Sequence, residues 1–378
     1  MAYILPLSSP VFDGNESHYM QQVIGSGLLA TNGEFIEKFE KKLSWKIRSH
    51  QAVALNSGTS ALHLALILLG VQSGDEVICQ SFTFCASANP IVYLGATPVF
   101  VDSETDTWNM SPELLEDAIL SRISQGKKPK AIVVVHLFGM PAKMKEILEI
   151  SERYDIPVLE DAAEAVGSTY MGRSCGSFGR IGVFSFNGNK IITTGGGGAL
   201  LSNDVSIVEK GKYLSTQARE DLPYYQHLEI GYNYRMNNMA AGIGLAQLEK
   251  LDECVSKRRA VNQLYRTLLE GFPGIEFQPE LAESASNFWL STILIDEKKT
   301  GFSNDKLRVK LFREGIETRF LWKPLHLQPV FRGARFYGGR VSEKLFLSGI
   351  CLPSSENLSH EDQKKVVRVF EKTLSKVL

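Results

Sequence analysis

Residues 184–198 read FSFNGNKIITTGGGG, an apolar strand that leads into a lysine and then into four glycines. Lys190 lies among neighbours that are too small or too apolar to solvate a cation. A lysine held in such surroundings can lose its proton and act as an amine nucleophile. A surface lysine before a flexible glycine turn is the plainer interpretation, and other segments of the chain have to decide between the two.

Two further segments place polar groups where a strand ends. Residues 156–161 read IPVLED and predict a buried strand that ends at Asp161, and open α/β sheets bind ligands at that end of their strands. Residues 52–66 read AVALNSGTSALHLAL, a strand, a turn of small residues and the start of a helix. Such a turn presents free backbone N–H groups and hydroxyls to an anion, although an ordinary helix N-cap has the same composition.

Strands and helices alternate from about residue 33 to residue 204. Further apolar strands, with helical stretches between them, are predicted at residues 76–79, 97–102 and 131–136. This order predicts an α/β fold with a mostly parallel central sheet and helices on both faces.

The last third of the chain has a different pattern. A long helix is predicted over residues 240–264, and a strand is predicted over residues 288–295. Together they indicate a smaller C-terminal α+β domain. We therefore expect an N-terminal arm and a large domain in residues 1–250, and the small domain in residues 251–378.

Composition excludes several classes of partner. The 378 residues carry 41 basic and 42 acidic side chains in no long block of either sign, so neither nucleic acid nor a membrane surface is an expected partner. Five cysteines lack the spacing of metal ligands, which predicts no metal site and a reducing compartment. The start of the chain lacks a secretory pattern and no apolar run approaches a membrane span, so we expect a cytoplasmic protein.

Two short patterns fit other enzyme classes. Residues 172–176 read GRSCG, the spacing of a hydrolase nucleophile elbow, but the glycine-rich residues that follow cannot continue as a helix, which makes Ser174 a loop residue. Residues 25–30 read GSGLLA, which fits a dinucleotide-binding fingerprint, but they follow a helical pattern and not a strand. They are more typical of a helix C-terminus with glycine caps.

A lysine, a strand-end carboxylate and an anion-binding turn are the groups that pyridoxal phosphate requires. With them the chain resembles the DegT/DnrJ/EryC1/StrS family of nucleotide-sugar aminotransferases. The resemblance covers nearly the whole length and is carried, in order, by residues 34–40, 56–63, 81–84, 160–165, 184–198, 231–235 and 324–326. It implies the fold-type-I aminotransferase fold and a large domain that binds pyridoxal 5'-phosphate.

The resemblance also implies a role for each matching residue. Lys190 would bind the cofactor aldehyde covalently and later move the proton, and Asp161 would pair with the pyridine nitrogen. The phosphate would be held by Thr59, the backbone of Gly58 and Ser185. Phe84 would lie over one ring face.

Three more residues follow from the same resemblance. Glu164 would lie beside the cofactor ring, at a position where many relatives carry glutamine. Asn233 would reach into the phosphate site of the neighbouring subunit, which implies a homodimer with shared active sites. His326 would face the sugar or the amino donor.

Several stretches resemble one branch of the family most closely. That branch transfers an amino group from L-glutamate to C4 of a UDP-linked 4-keto-6-deoxy-N-acetylhexosamine, and pyridoxamine 5'-phosphate forms between the two halves of the reaction. The products are a UDP-4-amino-4,6-dideoxy sugar and 2-oxoglutarate. Gly195 and Phe320 differ from that branch, where a small hydroxyl residue and a proline are expected.

Two alternatives to this function stay open. The substrate could be another nucleotide keto-sugar, either a C3-keto sugar or one linked to dTDP or GDP. A regulator that binds pyridoxal phosphate without turnover is a second alternative. Relatives that remove a hydroxyl group from the sugar carry histidine at the Lys190 position, so the lysine favours transamination.

Overall fold

The computed structural model describes residues 5–48 and 51–374. The strands are β1 (Gln51–Leu55), β2 (Glu76–Gln80), β3 (Thr97–Val101), β4 (Ala131–Val135), β5 (Val158–Asp161), β6 (Thr169–Tyr170), β7 (Arg173–Ser174), β8 (Ile181–Ser185), β9 (Gly198–Ser202), β10 (Ile275–Phe277), β11 (Ser284–Ala285), β12 (Ser291–Ile295), β13 (Arg319–Phe320), β14 (Arg335–Tyr337) and β15 (Gly349–Leu352).

The helices are α1 (Glu16–Ser26), α2 (Glu34–Ile47), α3 (Gly58–Leu68), α4 (Asn89–Tyr93), α5 (Pro112–Ser124), α6 (Met144–Tyr154), α7 (Val205–Ser215), α8 (Asn238–Glu249), α9 (Leu251–Leu268), α10 (Glu297–Thr300), α11 (Asn304–Arg313), α12 (Val341–Ser348) and α13 (His360–Leu374). None of these described helices combines the length and the apolar character needed to cross a membrane. Residues 1–4, part of the segment searched above for a secretory pattern, lie outside the described residues.

The central sheet has eight strands in the order β1-β9-β8-β5-β4-β2-β3-β14. Pairing is parallel from β8 to β14, and β9 runs antiparallel between β1 and β8. The predicted α/β fold with a mostly parallel sheet is therefore confirmed. Because the carboxyl ends of parallel strands meet at one edge, the sheet gathers the residues that follow β5 and β8.

Helices cover both faces of this sheet. Side chains of a strand alternate between the two faces, and β9 shows the result. Leu201 packs in a cluster with Phe35 and Phe39 of α2, while Leu200 packs in another cluster with Leu62 and Leu66 of α3. Burial on both faces explains why the strands are apolar at nearly every position.

A second, antiparallel sheet has the order β10-β12-β15-β13 and packs with α9, α11 and α13. This is the predicted smaller α+β unit. The division between residues 1–250 and 251–378 stays a prediction. One strand from the second segment, β14, pairs with β3 at the edge of the large sheet.

Three local predictions can be compared with the structure. Gly27 caps α1 in the left-handed conformation, as expected for a helix C-terminus. Ser174 lies in the short strand β7, so its prediction as a loop residue is wrong, but turns follow it where a nucleophile elbow needs a helix. The strand predicted over residues 288–295 begins later, at Ser291, because Phe288 has a positive φ of 43° that interrupts an extended backbone.

The single helix predicted over residues 240–264 is wrong, because the chain forms two helices, α8 and α9, that meet at Lys250. The Lys250 N–H donates to the carbonyl of Gln247, three residues back, which tightens and ends the turn. α8 is buried between α1, α2 and the sheet, whereas α9 buries one face against the small domain. The direction of each helix is set by the neighbours against which it packs. The apolar pattern of the sequence does not show at which residue the neighbours of α8 give way to those of α9.

A hydrogen-bonded clamp fastens the turn that carries Lys190. Arg258 of α9 is 1% exposed and donates to the Trp289 carbonyl at 2.7 Å and to Ser8 Oγ at 3.1 Å. Ser8 Oγ and Trp289 Nε1 both donate to the carbonyl of Asn189, at 2.8 and 2.7 Å. Burial lowers the pKa of Arg258 to about 10, which still leaves the guanidinium charged at neutral pH. Residues distant in sequence therefore fix the peptide that precedes Lys190.

We expect Arg258→Met to lower the free energy of unfolding by about 2 kcal/mol, because two charge-assisted hydrogen bonds are lost and their buried partners are left unpaired. Urea denaturation followed by circular dichroism measures this loss. Arg368→Met is the matched control, since Arg368 lies on the exposed side of α13, and it should change the value by no more than about 0.5 kcal/mol. Equal losses of unfolding free energy in the two variants would contradict a stabilising role for the hydrogen bonds of Arg258.

Candidate active site

The turn between β1 and α3 forms a cup for an anion. Ser57 caps α3, and its Oγ accepts the Ser60 N–H at 3.0 Å. Gly58 and Thr59 are the first residues of the helix, so their N–H groups have no acceptor inside it. A Cβ atom on Gly58 would lie 2.9 Å from Ser185 Cβ, so only glycine allows the helix start to approach the end of β8 this closely. The structure thereby brings Gly58, Thr59 and Ser185 together.

Asp161 is the last residue of β5 and is buried. Ser87 Oγ donates to its Oδ2 at 2.7 Å, and the Ala163 N–H donates to its Oδ1 at 3.2 Å. Burial nevertheless raises the pKa of Asp161 above its usual range, because those two hydrogen bonds and the more distant Lys190 only partly offset desolvation. A cation close to this carboxylate would reverse that shift.

Lys190 lies in the turn that follows β8, with a side chain that is 13% exposed. Its Nζ is 3.6 Å from Glu164 Oε1 and 4.0 Å from the centroid of the Trp289 ring. Glu164 Oε2 accepts the Phe138 N–H at 2.7 Å, and burial raises the pKa of the Glu164 carboxyl. The amine is therefore held between a carboxylate and an aromatic face.

These groups surround one cavity of about 340 Å³. Most of the predicted site residues line it, namely Gly58, Thr59, Phe84, Asp161, Glu164, Ser185 and Lys190. Phe84 is half exposed and lines the cavity. Segments that are up to 132 positions apart in the chain, from Gly58 to Lys190, meet here because the strands that precede them lie in the same sheet and end at the same edge.

Two predicted site residues are not among the residues that line this cavity. Asn233 is exposed, and its carbonyl accepts a hydrogen bond from Asn56 Nδ2 at 3.0 Å. His326 is stacked on Phe336 with ring centroids 3.7 Å apart. The Nδ1 atom of His326 is 2.7 Å from Ser81 Oγ. The roles predicted for Asn233 and His326 stay predictions.

Sequence reasoning missed Ser87, Trp289 and Trp322, which all line the cavity. Ser87 orients Asp161, Trp289 packs against the Lys190 amine, and Trp322 packs against Phe84 with ring centroids 5.2 Å apart. Ser87 closely follows Phe84 in the chain, which was a usable signal. The two tryptophans come from the C-terminal third, and nothing local in the sequence connects them to Lys190.

The cavity fits pyridoxal phosphate. Gly58, Thr59 and Ser185 would hold the phosphate at the start of α3, and Asp161 would face the pyridine nitrogen. The raised pKa of Asp161 supports this assignment, because a buried carboxyl with no cation beside it gains the most from a protonated ring nitrogen. Lys190 would reach the aldehyde.

The Asp161 carboxyl predicts a pH dependence in the cofactor-free protein. Its pKa is raised by folding from about 3.9, so the folded chain binds the proton more tightly and loses stability as the pH rises above about 4. Asp161→Asn removes this dependence, so the variant should gain stability relative to the original chain as the pH rises. Urea denaturation at several pH values measures the difference, and a constant difference would contradict the assignment.

Comparison with known proteins agrees with this geometry. A model of the DegT/DnrJ/EryC1/StrS aminotransferase family matches residues 10–371. The chain is 50% identical over 368 residues to EpsN of Bacillus subtilis (strain 168), a candidate pyridoxal phosphate-dependent aminotransferase, with 96% of this chain and 94% of that protein covered. It is 38% identical over 361 residues to the GDP-perosamine synthase of Escherichia coli O157:H7, with 96% of each covered.

The fold agrees as well. The crystal structure of a DegT DnrJ EryC1 StrS aminotransferase from Brucella abortus matches with a TM-score of 0.88 at 32% identity, over 95% of each chain. The predictions of the family, the fold-type-I architecture, the cofactor and an enzyme rather than a regulator are thereby confirmed. This chain belongs to the DegT/DnrJ/EryC1/StrS family and is a pyridoxal phosphate-dependent nucleotide-sugar aminotransferase.

Proposed function

We propose that the enzyme transfers an amino group from L-glutamate to C4 of a UDP-linked 4-keto-6-deoxy-N-acetylhexosamine. The observation that carries the transamination is the position of Lys190, whose amine lies in the same cavity as Asp161 and the phosphate cup. The choice of this sugar rests on the stretches that resemble the UDP branch. A GDP-linked 4-keto-6-deoxy sugar is the second candidate, because one relative at 38% identity is a GDP-perosamine synthase.

Pyridoxal phosphate, when bound, supplies an aldehyde that takes up the amine and a ring that withdraws electrons from the reacting carbon. Lys190 would bind that aldehyde and, once released, would be the base that removes a proton from the glutamate carbon. In the second half of the reaction the same amine returns a proton to C4 of the sugar. One proton carrier on one side of the cavity fixes the stereochemistry of the new C–N centre.

Each of the residues around Lys190 has a separate role in the proposed reaction. Asp161 would keep the ring nitrogen protonated, and Ser87 holds the carboxylate in position through the 2.7 Å hydrogen bond to Oδ2. Glu164 has one oxygen fixed by the Phe138 N–H, which leaves Oε1 directed toward the lysine. The Trp289 ring shields the amine from water on another side.

We also propose a homodimer with shared active sites in the cytoplasm. The exposed Asn233 side chain is available to a second subunit and does not line the cavity of its own chain. A hydrophobic surface adjoins it, with Tyr225, Leu228 and Ile230 each at least 70% exposed. All five cysteines are free, which suits a reducing compartment.

A spectrophotometric titration tests the reaction. The purified protein receives pyridoxal phosphate, then L-glutamate, then UDP-4-keto-6-deoxy-N-acetylglucosamine, and its absorbance reports the pyridoxal and pyridoxamine forms of the cofactor. We expect glutamate to convert the first form into the second and the sugar to restore it, with an aminated sugar in the mass spectrum. Lys190→Ala is the control and should show neither conversion.

Four outcomes of this titration are informative. Conversion by glutamate without recovery by the UDP-sugar would reject this substrate, and recovery with the GDP-linked 4-keto-6-deoxy sugar instead would favour the second candidate. Recovery of the pyridoxal form with both sugars would show that the enzyme does not discriminate between UDP and GDP. Failure of glutamate to convert the cofactor would contradict glutamate as the amino donor.

Mixing two inactive variants tests the shared sites. We expect Lys190→Ala and Asn233→Ala homodimers to be impaired, and a heterodimer of the two to regain one site in which both residues are intact. Random mixing after mild dissociation should then restore about one quarter of the original activity, because half of the dimers carry one intact site out of two. No recovery in a verified heterodimer would place Asn233 within its own subunit.

A further inference from the structure

The backbone of residues 231–235, the segment that carries Asn233, is fixed by hydrogen bonds to two other parts of the chain. The N–H groups of Tyr232 and Tyr234 donate to the carbonyls of the last two residues of α7, at 2.7 and 3.0 Å. From the other side, the Asn56 N–H donates to the Tyr234 carbonyl at 2.7 Å, and Asn56 Nδ2 donates to the Asn233 carbonyl at 3.0 Å. These contacts determine where the Asn233 backbone lies.

The side chains on either side of Asn233 pack against each other. The rings of Tyr232 and Tyr234 stack with centroids 4.9 Å apart and with an angle of 21° between their planes. Both tyrosines are partly buried, whereas Asn233 between them is exposed. Alternate residues of an extended segment point to opposite sides, and Asn233 pairs in an extended bridge with Thr216. The stacked tyrosines therefore leave the Asn233 side chain on the outer side of the segment.

His63 of α3 contacts both stacked tyrosines. Its Nδ1 atom is 3.1 Å from the hydroxyl oxygen of Tyr234, and its ring meets Tyr232 at 74° with centroids 5.3 Å apart. Tyr93 packs against the same ring at 89°, with centroids 5.7 Å apart. The histidine is 8% exposed, and burial lowers its pKa, which keeps the ring uncharged at neutral pH. A phenylalanine would fill a similar space, so the hydrogen bond to Tyr234 is what the histidine adds.

The helix that carries His63 also begins at the predicted phosphate cup. The cup is formed by the first turn of α3, and His63 follows about one turn later. Ser60 in the first turn donates through Oγ to Asn56 Oδ1 at 2.7 Å. Since Asn56 binds the backbone of residues 231–235, α3 holds this segment in two places, through Asn56 and through His63.

We infer that His63 is a positioning residue for the active site of the other subunit, because it holds Tyr234 and thereby the segment that presents Asn233 to that site. The inference rests on the proposed homodimer with shared active sites. His63 is not among the residues that line the cavity of its own chain, so it acts through residues 231–235 and not on its own cofactor. One helix then connects the two active sites of the dimer.

Two heterodimers distinguish an effect on the other subunit from an effect on the same subunit. In each, one chain carries Lys190→Ala, so only the other chain can bind pyridoxal phosphate covalently and show the absorbance of the lysine-bound cofactor. In the first heterodimer, His63→Phe is placed on the Lys190→Ala chain. In the second, His63→Phe is placed on the chain with the intact lysine. Different affinity tags on the two co-expressed chains allow each heterodimer to be isolated.

We expect the apparent Kd of pyridoxal phosphate to rise about three- to tenfold in the first heterodimer, as for the loss of one hydrogen bond. In the second heterodimer it should change by less than about twofold. Tyr234→Phe removes the other atom of the same hydrogen bond, and it should reproduce both results even if His63→Phe folds poorly. His360→Phe is the matched control, because His360 is exposed at the start of α13, and it should leave both constants unchanged.

A larger rise of the Kd in the second heterodimer would overturn the inference, because His63 would then act on the cofactor of its own subunit. Equal rises in the two heterodimers, or no rise in either, would overturn it as well. Asn233→Ala in the same two arrangements tests the proposed dimer separately. If Asn233→Ala weakens only the second heterodimer, the sites are not shared and the proposed dimer fails. If it weakens the first heterodimer while His63→Phe and Tyr234→Phe do not, the inference about His63 alone fails.

Discussion

The arrangement of the active site depends on keeping an amine and a carboxylate in one cavity that excludes most water. Burying either group alone is costly, and the structure meets that cost with specific partners. Lys190 has Glu164 on one side and the Trp289 ring on another, while Asp161 accepts hydrogen bonds from Ser87 and Ala163. Those two hydrogen bonds compensate the buried carboxylate only in part, which is why its pKa is raised.

The parallel sheet explains how these groups converge. β5 ends in Asp161, β8 ends in Ser185, and the two strands are neighbours. The start of α3 reaches the same edge because β1 is joined to β8 through β9. Gly58 completes the contact, since any larger residue would collide with Ser185. The start of α3 and the Asp161 carboxylate are thus placed by the backbone of the sheet.

The Lys190 turn has a different kind of support. It lies outside the strands, and its geometry depends on donors from remote parts of the chain. Ser8 belongs to the N-terminal arm and Trp289 to the segment before β12, and Arg258 of α9 binds both. Residues after position 250 therefore contribute directly to the position of the turn that carries Lys190.

The sequence by itself determined the alternation of strands and helices, the strand-end position of Asp161 and the turn of small residues at Gly58 and Thr59, and it predicted Lys190 as the nucleophile. These features are local, because a strand, a turn and a cap are each encoded by neighbouring residues. Only the tertiary structure decided the break at Lys250, the pairing of β14 with the large sheet, the stacking of His326 on Phe336, and the contacts of Trp289 and Trp322. These features depend on packing between segments that are far apart in the chain. The apolar pattern within one segment does not show which distant segment will pack against it.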